Sequence, residues 1–318
     1  MSSTLLLRLV GITLITTYFV IVLGGATRVW EAGMSCPDWP KCYGLWWPWP
    51  ESRVAGGYMV DGTHYQAYQV ALEWGHRLLA MLTGYMLLGI TVISFLPKYR
   101  SFRIWPIAIL SCVVLAVQVK LGGVTVWYNN VPWSVALHLG NALIFFAALL
   151  WLRRKVALVG QIAVPPSVPT WLKGLFIGFA GLVLLIMMVG ATVSSSYAGG
   201  ICGGLPSCGG MWWPQDNLQQ VHMIHRAAAL AVFALSIVLM ICAKKVAPEL
   251  RKTAKGLHIL VLVQAVFGII TLYSFSHYPS WYQQLSLIHL GWGVFVWMGA
   301  VGSLLTLRYG KAGSFHER

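Results

Sequence analysis

The sequence predicts an all-α integral membrane protein with eight transmembrane helices, arranged as two parallel-repeat four-helix bundles. Two observations carry this prediction: the composition is that of a chain that faces lipid, and one set of motifs occurs twice. Of the 318 residues, 58% are hydrophobic and 9% are charged, whereas soluble proteins average about 25% charged residues. So few charges cannot cover a soluble domain, but they suit a protein whose lateral surface meets lipid.

Eight hydrophobic runs are long enough to cross a membrane, which takes about 20 residues for a core about 30 Å thick. They cover residues 5–24, 71–95, 104–126, 132–152, 172–193, 219–242, 255–275 and 283–307. The runs do not alternate polar and apolar residues, and lipid requires backbone groups to be bonded internally, so helices are expected. The first run has some features of a signal peptide, but its sequence recurs in the second half, so we expect a retained helix.

The positive charge of +14 has an uneven distribution along the chain. Most of the 22 lysines and arginines lie at the termini or in alternate loops, at 98–103, 153–155 and 244–255. The intervening loops carry only Arg28, Lys41 and Arg53. By the positive-inside rule, both termini and the basic loops are cytoplasmic, and the other loops lie outside a bacterial inner membrane. The charge therefore indicates topology, and no nucleic-acid partner is expected.

An internal repeat divides the chain into halves 1–155 and 156–318, each with four predicted helices. Cysteine pairs with the spacing C-x3-P-x-C follow the first helix of each half, and Trp-Trp-Pro follows each pair. The matched elements are Gly25-Ala26-Thr27 with Gly190-Ala191-Thr192, Cys36/Cys42 with Cys202/Cys208, His76-Arg77 with His225-Arg226, Gln118/Gly122 with Gln264/Gly268, and His138-Leu139-Gly140 with His289-Leu290-Gly291. Both halves start in the cytoplasm, so the repeat is parallel and its axis lies along the membrane normal.

Each half contains two histidines within its apolar runs: His76 and His138 in the first, His225 and His289 in the second. Each lies about six residues inside the outer end of its run, or about 9 Å deep at 1.5 Å per residue. Two imidazoles at equal depth can hold one haem iron from opposite sides inside a bundle. A histidine alone is better explained by a hydrogen bond between helices, but four at matched depth favour haem. Zinc is a poorer match because it prefers four ligands.

The two halves differ three residues before the first histidine, where the first half has Glu73 and the second has His222. Glu73 and His76 share a helix face, so the carboxylate is a candidate general base or a stabiliser of developing positive charge. The alternative is a helix-start residue favoured by the dipole. We favour a catalytic Glu73. His222 is a competing ligand in the second half, although the His-Arg register favours His225.

The arginines that follow these histidines, Arg77 and Arg226, have two interpretations that the sequence leaves open. They are candidates to pair with haem propionates, which guanidinium groups bind well. They are equally candidates to bind backbone carbonyls and so anchor helix packing.

The paired cysteines lie in loops predicted to face an oxidising compartment, where disulfides persist. We expect disulfides Cys36–Cys42 and Cys202–Cys208, the second a structural staple. The first is either a staple or a labile bridge that exchanges electrons. The long loop that follows it, about 43–70, is a candidate cover for the first haem site.

Together these residues resemble the haem A synthase family over essentially the whole chain: Glu73-x-x-His76-Arg77, His138, His225-Arg226, His289 and the two cysteine pairs. The resemblance implies an oxidoreductase that converts the C8 methyl of haem O to a formyl group by successive hydroxylations, for terminal oxidase assembly. It implies that His76 and His138 flank substrate haem O, that Glu73 is the catalytic acid, and that His225 and His289 bind haem b. Expected partners are haem O and haem A, lipid, the farnesylating haem O synthase, a quinone or other electron acceptor, and further copies of the chain.

Two other functions fit part of the sequence. A di-haem electron carrier of cytochrome b type, exchanging electrons with quinone, would use both histidine pairs but would not need Glu73. A membrane thiol oxidoreductase would depend on Cys36 and Cys42 and would survive loss of the four histidines.

Overall fold

A computed structural model describes residues 3–38, 40–100, 103–161 and 163–310. Within these ranges eight helices are long and apolar enough to span a membrane. They are α1 (Ser3–Val29), α2 (Ala67–Ser94), α4 (Trp105–Trp127), α5 (Pro132–Ala157), α6 (Thr170–Ser195), α7 (Asn217–Val246), α8 (Arg251–His277) and α9 (Pro279–Tyr309), and the short α3 (Pro97–Arg100) precedes α4. The chain is an all-α integral membrane protein, as predicted. The terminal residues 1, 2 and 311–318 lie outside the described ranges.

Several helices begin before the hydrophobic runs that predict them. Helices α2, α7 and α9 begin at residues 67, 217 and 279 rather than at 71, 219 and 283. Polar first turns explain the difference: Gln66 and Gln69 form a reciprocal capping box, and Asp216 accepts hydrogen bonds from the N–H groups of Leu218 and Gln219. Hydropathy does not detect such turns, so the observed helix starts differ from the predicted ones. The number of residues from a helix start to its histidine therefore does not give one common depth for the four histidines.

The long helices form two neighbouring groups of four. Helix α1 contacts α2 and α5, and α4 contacts both α2 and α5, which closes a first bundle. Helices α6, α7, α8 and α9 pack in the same cyclic order in the second bundle. The bundles meet through α1 and α5 on one side and α6 and α9 on the other. The bundle interiors, where helices of one group face each other, are therefore available for the site.

Specific polar contacts join the two bundles at different depths. The indole N–H of Trp297 in α9 donates to the carbonyl oxygen of Leu143 in α5 at 2.8 Å. Near the end of α1, the Arg28 guanidinium donates to the carbonyl oxygens of Ser194 and Ser195 at 3.0 and 2.9 Å. It also lies over the Tyr197 ring, 4.4 Å from the centroid. Buried apolar residues of both bundles form one continuous core, which includes Leu143 and Trp297.

The two disulfide loops differ in size. Between α1 and α2 the chain forms a hairpin of β1 (Met59–Val60) and β2 (Thr63–His64) and a 3₁₀ turn at Glu51–Arg53. Between α6 and α7 the structure has only a 3₁₀ turn at Ala198–Gly200 and a bridge between Cys208 and Met211. Both predicted disulfides, Cys36–Cys42 and Cys202–Cys208, are formed.

Candidate haem-binding and active site

A cavity of about 3140 Å³ extends through both bundles. The predicted site residues that line it are Glu73, His76, Arg77, His138, His225, Arg226 and His289, together with Cys36 of the first disulfide. Its size exceeds the roughly 300–1,000 Å³ of an ordinary ligand pocket. The sequence therefore identified residues that the fold does bring to one connected space, with a histidine pair in each bundle.

Each of the four histidine rings packs against a glycine of a neighbouring helix. The pairs are Gly24 with His76, Gly122 with His138, Gly190 with His225, and Gly268 with His289. A Cβ on these glycines would lie 2.9, 3.3, 3.1 and 3.0 Å, respectively, from the ring Cε1. A side chain at any of these positions would crowd the ring, so the glycines leave the space in which each imidazole is oriented.

These contacts correct one detail of the sequence alignment. Matching letters pairs Gly25 with Gly190, but the contacts with the histidines pair Gly24 with Gly190. The cysteines agree with the corrected register, because Cys36 and Cys202 each follow the histidine-contacting glycine by twelve residues. Gly25 instead faces Leu290 of α9, so it serves the contact between bundles.

The second histidine pair has the spacing that an iron between two imidazoles requires. The ring centroids of His225 and His289 are 6.4 Å apart, and the ring planes make an angle of 76°. Metal–nitrogen bonds of about 2 Å on both sides, with the rings beyond them, need centroids about 6 Å apart. These residues fit a bis-histidine haem.

A glutamine accompanies the second histidine of each pair, a role that sequence reasoning missed although the repeat contained both residues. Gln118 Nε2 lies 3.2 Å from both ring nitrogens of His138, and Gln264 Nε2 lies 3.2 and 3.3 Å from those of His289. In the first bundle Asn141 donates to Gln118 Oε1 at 2.7 Å. Gln118 is therefore held by a side chain, whereas Gln264 Oε1 has no partner within the described residues.

Glu73 is buried, with 5% of its surface exposed, and its carboxylate is fixed on both oxygens. Oε2 accepts from the Cys36 N–H at 2.8 Å and from the Ser35 hydroxyl at 3.0 Å. Oε1 accepts from the Arg77 guanidinium at 2.6 Å. Such charge-assisted bonds hold the carboxylate in one position at the cavity wall. Nothing in the sequence marked Ser35, since it has no match in the repeat.

Arg77 and Arg226 both bind backbone carbonyl oxygens, which is the second of their two predicted roles. Arg77 donates to the carbonyl oxygens of Cys36 at 3.0 Å, of Lys41 at 3.2 Å and of Asp38. Arg226 donates to the carbonyl oxygens of the second disulfide loop: Cys202 at 3.2 Å, Ser207 at 2.9 Å and Pro206 at 3.3 Å. In each bundle the residue after the first histidine thus ties the disulfide loop to the helix that carries that histidine.

His222 takes the place of Glu73 in the second bundle and is also buried. Its Nδ1 lies 2.9 Å from the carbonyl oxygen of Ala198, in the short 3₁₀ turn. His225, one turn further along α7, faces His289. This geometry favours His225 over His222 as the iron ligand.

The long loop of the first bundle packs as a small aromatic unit, and its residues Trp46, His64 and Tyr65 line the cavity. Tyr58 is fully buried and its hydroxyl donates to the Pro48 carbonyl at 2.8 Å, while the rings of Trp47, Trp49 and Trp74 meet edge to face. Burial, with the nearby Glu73 carboxylate, raises the pKa of Tyr43 to about 12, so this phenol stays protonated at neutral pH. The loop therefore presents neutral aromatic groups beside the anchored carboxylate.

Comparison with known proteins decides the family. Residues 7–301 match the COX15-CtaA family, described as cytochrome oxidase assembly protein. The chain belongs to this family. Among curated relatives named heme A synthase, the protein of Shewanella oneidensis is 32% identical over 69% of this chain and 64% of its own length. Those of Bacillus pumilus and Rhizobium johnstonii are 27% and 26% identical, over 84% and 92% of this chain and 86% and 89% of their own lengths.

The family assignment bears on the competing functions. Every relative named above is a heme A synthase, and the family is one of cytochrome oxidase assembly. These matches support the enzyme and do not favour the di-haem electron carrier.

Proposed function

We propose that this chain is an oxidoreductase that converts the C8 methyl of haem O to the formyl group of haem A, for assembly of cytochrome oxidase. The observation that carries the proposal is the histidine pair of each bundle, which lines one common cavity, in a member of a family whose curated relatives are named heme A synthase. It acts as a multi-pass protein of a bacterial inner membrane, with both termini cytoplasmic and the disulfide loops outside.

The two halves, 1–155 and 156–318, are arranged as a parallel repeat in this proposal, and each binds a different haem. His76 and His138 flank the substrate haem O, and His225 and His289 bind haem b. The 6.4 Å between the rings of His225 and His289 supports the second assignment. Haem b, when bound, supplies one-electron redox chemistry. Conversion of a methyl group and one water molecule to a formyl group releases four electrons and four protons, so an electron acceptor is required, for which a quinone is our candidate.

Glu73 is the proposed catalytic residue of the first half. Its carboxylate is buried at the cavity wall, three residues from His76 on the same helix, and three donors hold it in place. A fixed negative charge there stabilises positive charge that develops on the substrate and accepts a proton as the methyl carbon is oxidised. The second half, with His222 at this position, has no equivalent acid, in agreement with a haem that is not itself changed.

The aromatic loop and the arginines have supporting roles. The first disulfide loop carries two of the donors to Glu73, and Arg77 links that loop to α2. These residues hold the carboxylate in position at the cavity wall. Arg226 has the matching structural role in the second half. Both guanidinium groups line the cavity, so we keep pairing with haem propionates as part of the proposal.

The test is expression in bacteria that make haem O but lack their own haem A synthase. Membranes from these cells should gain haem A, whereas membranes from cells that express a His225→Ala, His289→Ala variant should not. If the parent chain accumulates in the membrane with haem bound and no haem A or oxidised intermediate forms, the proposed activity is wrong.

A further inference from the structure

The two haem sites differ along one wall, formed by α2 in the first bundle and α7 in the second, on the side away from the disulfide loops. In the first bundle the cavity follows α2 past Gly84 to Tyr85 and Leu88, opposite Leu115 and Val119 of α4. In the second bundle the cavity-lining part of α7 ends at Phe233. Gly84 and Phe233 occupy matching positions, because each follows the first histidine of its half by eight residues. Along this one wall the first cavity continues about one helical turn, about 6 Å, beyond the point where the second stops, whereas the lining of α4 and α8 ends at matching positions, Leu115 and Val261.

The closing residue of the second site is held firmly. The Phe233 ring lies 5.5 Å from the ring of His258 on α8 and packs against the apolar core. His258 in turn has its Nδ1 3.0 Å from the Ser236 hydroxyl, one turn along α7 from Phe233. A side chain fixed from two helices does not swing aside at low cost.

At the matching place in the first site there is free space. A Cβ on Gly84 would meet only Leu115 Cδ2, at an ordinary contact distance of 3.8 Å. The walls of this extension are mainly apolar; the polar residues are Tyr85 and Thr83, and Lys120 lines the cavity next to Val119. Tyr85, Leu88 and Val119 are 65%, 57% and 58% exposed, so the extension opens sideways between α2 and α4 toward lipid.

We infer that this extension binds the farnesyl tail of the substrate, and that Phe233 excludes a tail-bearing haem from the second site. The inference rests on the proposed function, in which haem O carries an isoprenoid chain and haem b does not. An apolar chain suits an apolar groove that opens into lipid. Gly84 and Phe233 are then specificity-determining residues that assign one kind of haem to each half.

The decisive variant is Gly84→Phe, which places in the first site the residue that closes the second. Gly89→Phe is its matched control: Gly89 is on the same helix, does not line the cavity, and has no atom within 4 Å of an added Cβ. Purified proteins are titrated with haem O and with tail-less haem b. Gly84→Phe should weaken haem O binding at the first site at least tenfold and leave haem b binding there within about twofold. Gly89→Phe should change neither.

The reciprocal variant, Phe233→Gly, keeps the test valid if Gly84→Phe does not fold. In cells that make haem O, its extract should contain more tail-bearing haem per protein than the parent extract. Unchanged binding in Gly84→Phe, equal loss of both haems in it, or an unchanged extract from Phe233→Gly would overturn the inference. Loss of a co-purified lipid in Gly84→Phe, without weaker haem O binding, would assign the groove to an acyl chain instead. If the parent protein binds no haem O, the proposed function itself fails.

Discussion

Gly24 lies directly against His76: a Cβ at position 24 would stand 2.9 Å from Cε1 of the imidazole. The same relationship holds between Gly190 and His225, at 3.1 Å. Each ring can keep its position only while the neighbouring helix has no side chain there. The orientation of the proposed iron ligands therefore depends on residues that never touch the iron.

The first prediction follows from this contact. Gly24→Ala should displace the His76 ring, because overpacking of this kind costs about 1–3 kcal/mol or forces the neighbour to move. We expect haem A formation to fall about tenfold or more, with haem b in the second half retained. The measurement is haem A per purified protein, together with the haem b absorbance spectrum.

Gly11→Ala is the control for Gly24→Ala, since Gly11 is on the same helix and has no atom within 4 Å of an added Cβ. It should behave like the parent chain. Normal haem A formation by Gly24→Ala would show that His76 does not need this position.

A second prediction concerns the carboxylate. Glu73→Ala should retain both haems but lower formation of the formyl product by about 10²-fold or more, the usual scale for loss of general acid–base catalysis. Ser35→Ala is a milder companion that removes one hydrogen bond to Oε2 and leaves the carboxylate and its bonds to Cys36 and Arg77. It should cost a few-fold at most. Normal turnover by Glu73→Ala would exclude Glu73 from catalysis.

The disulfide loops provide a third prediction, in which the two halves serve as each other's control. Replacing Cys36 and Cys42 by Ser frees the loop that donates to Glu73 and accepts from Arg77. Haem A formation should fall several-fold while haem b remains. Replacing Cys202 and Cys208 frees the carbonyls that hold Arg226 and should instead lower haem b content. A thiol oxidoreductase would be favoured if the protein oxidised thiols, kept that activity after loss of all four histidines, and lost it when Cys36 and Cys42 were replaced.

Much of the fold follows from the sequence for clear physical reasons. Lipid requires long apolar helices, so eight runs of suitable length predicted α1, α2 and α4–α9. The helix starts were less accurate, because capping groups such as Asp216 act through hydrogen bonds that hydropathy does not register. The repeat also contained Gln118 and Gln264 at matching positions, but only the structure shows that they contact His138 and His289.

The remaining features of the site depend on contacts between distant segments. Glycines are common in membrane helices, so the sequence did not show that Gly24, rather than Gly25, meets a histidine. The partners of Arg77 lie about forty residues away in a folded loop, and its two interpretations stayed open until that loop was seen. Ser35 and Asn141 have no counterpart in the repeat, so only the structure identifies them.

The most direct test of the account is to identify the haems that the protein holds. The purified chain, from cells that make haem O, is extracted with acid and the haems are separated by chromatography. Haem b together with haem O, haem A or an oxidised intermediate is the predicted result, since one pair of histidines holds a cofactor and the other a substrate. Two equivalents of haem b and no tail-bearing haem would contradict it.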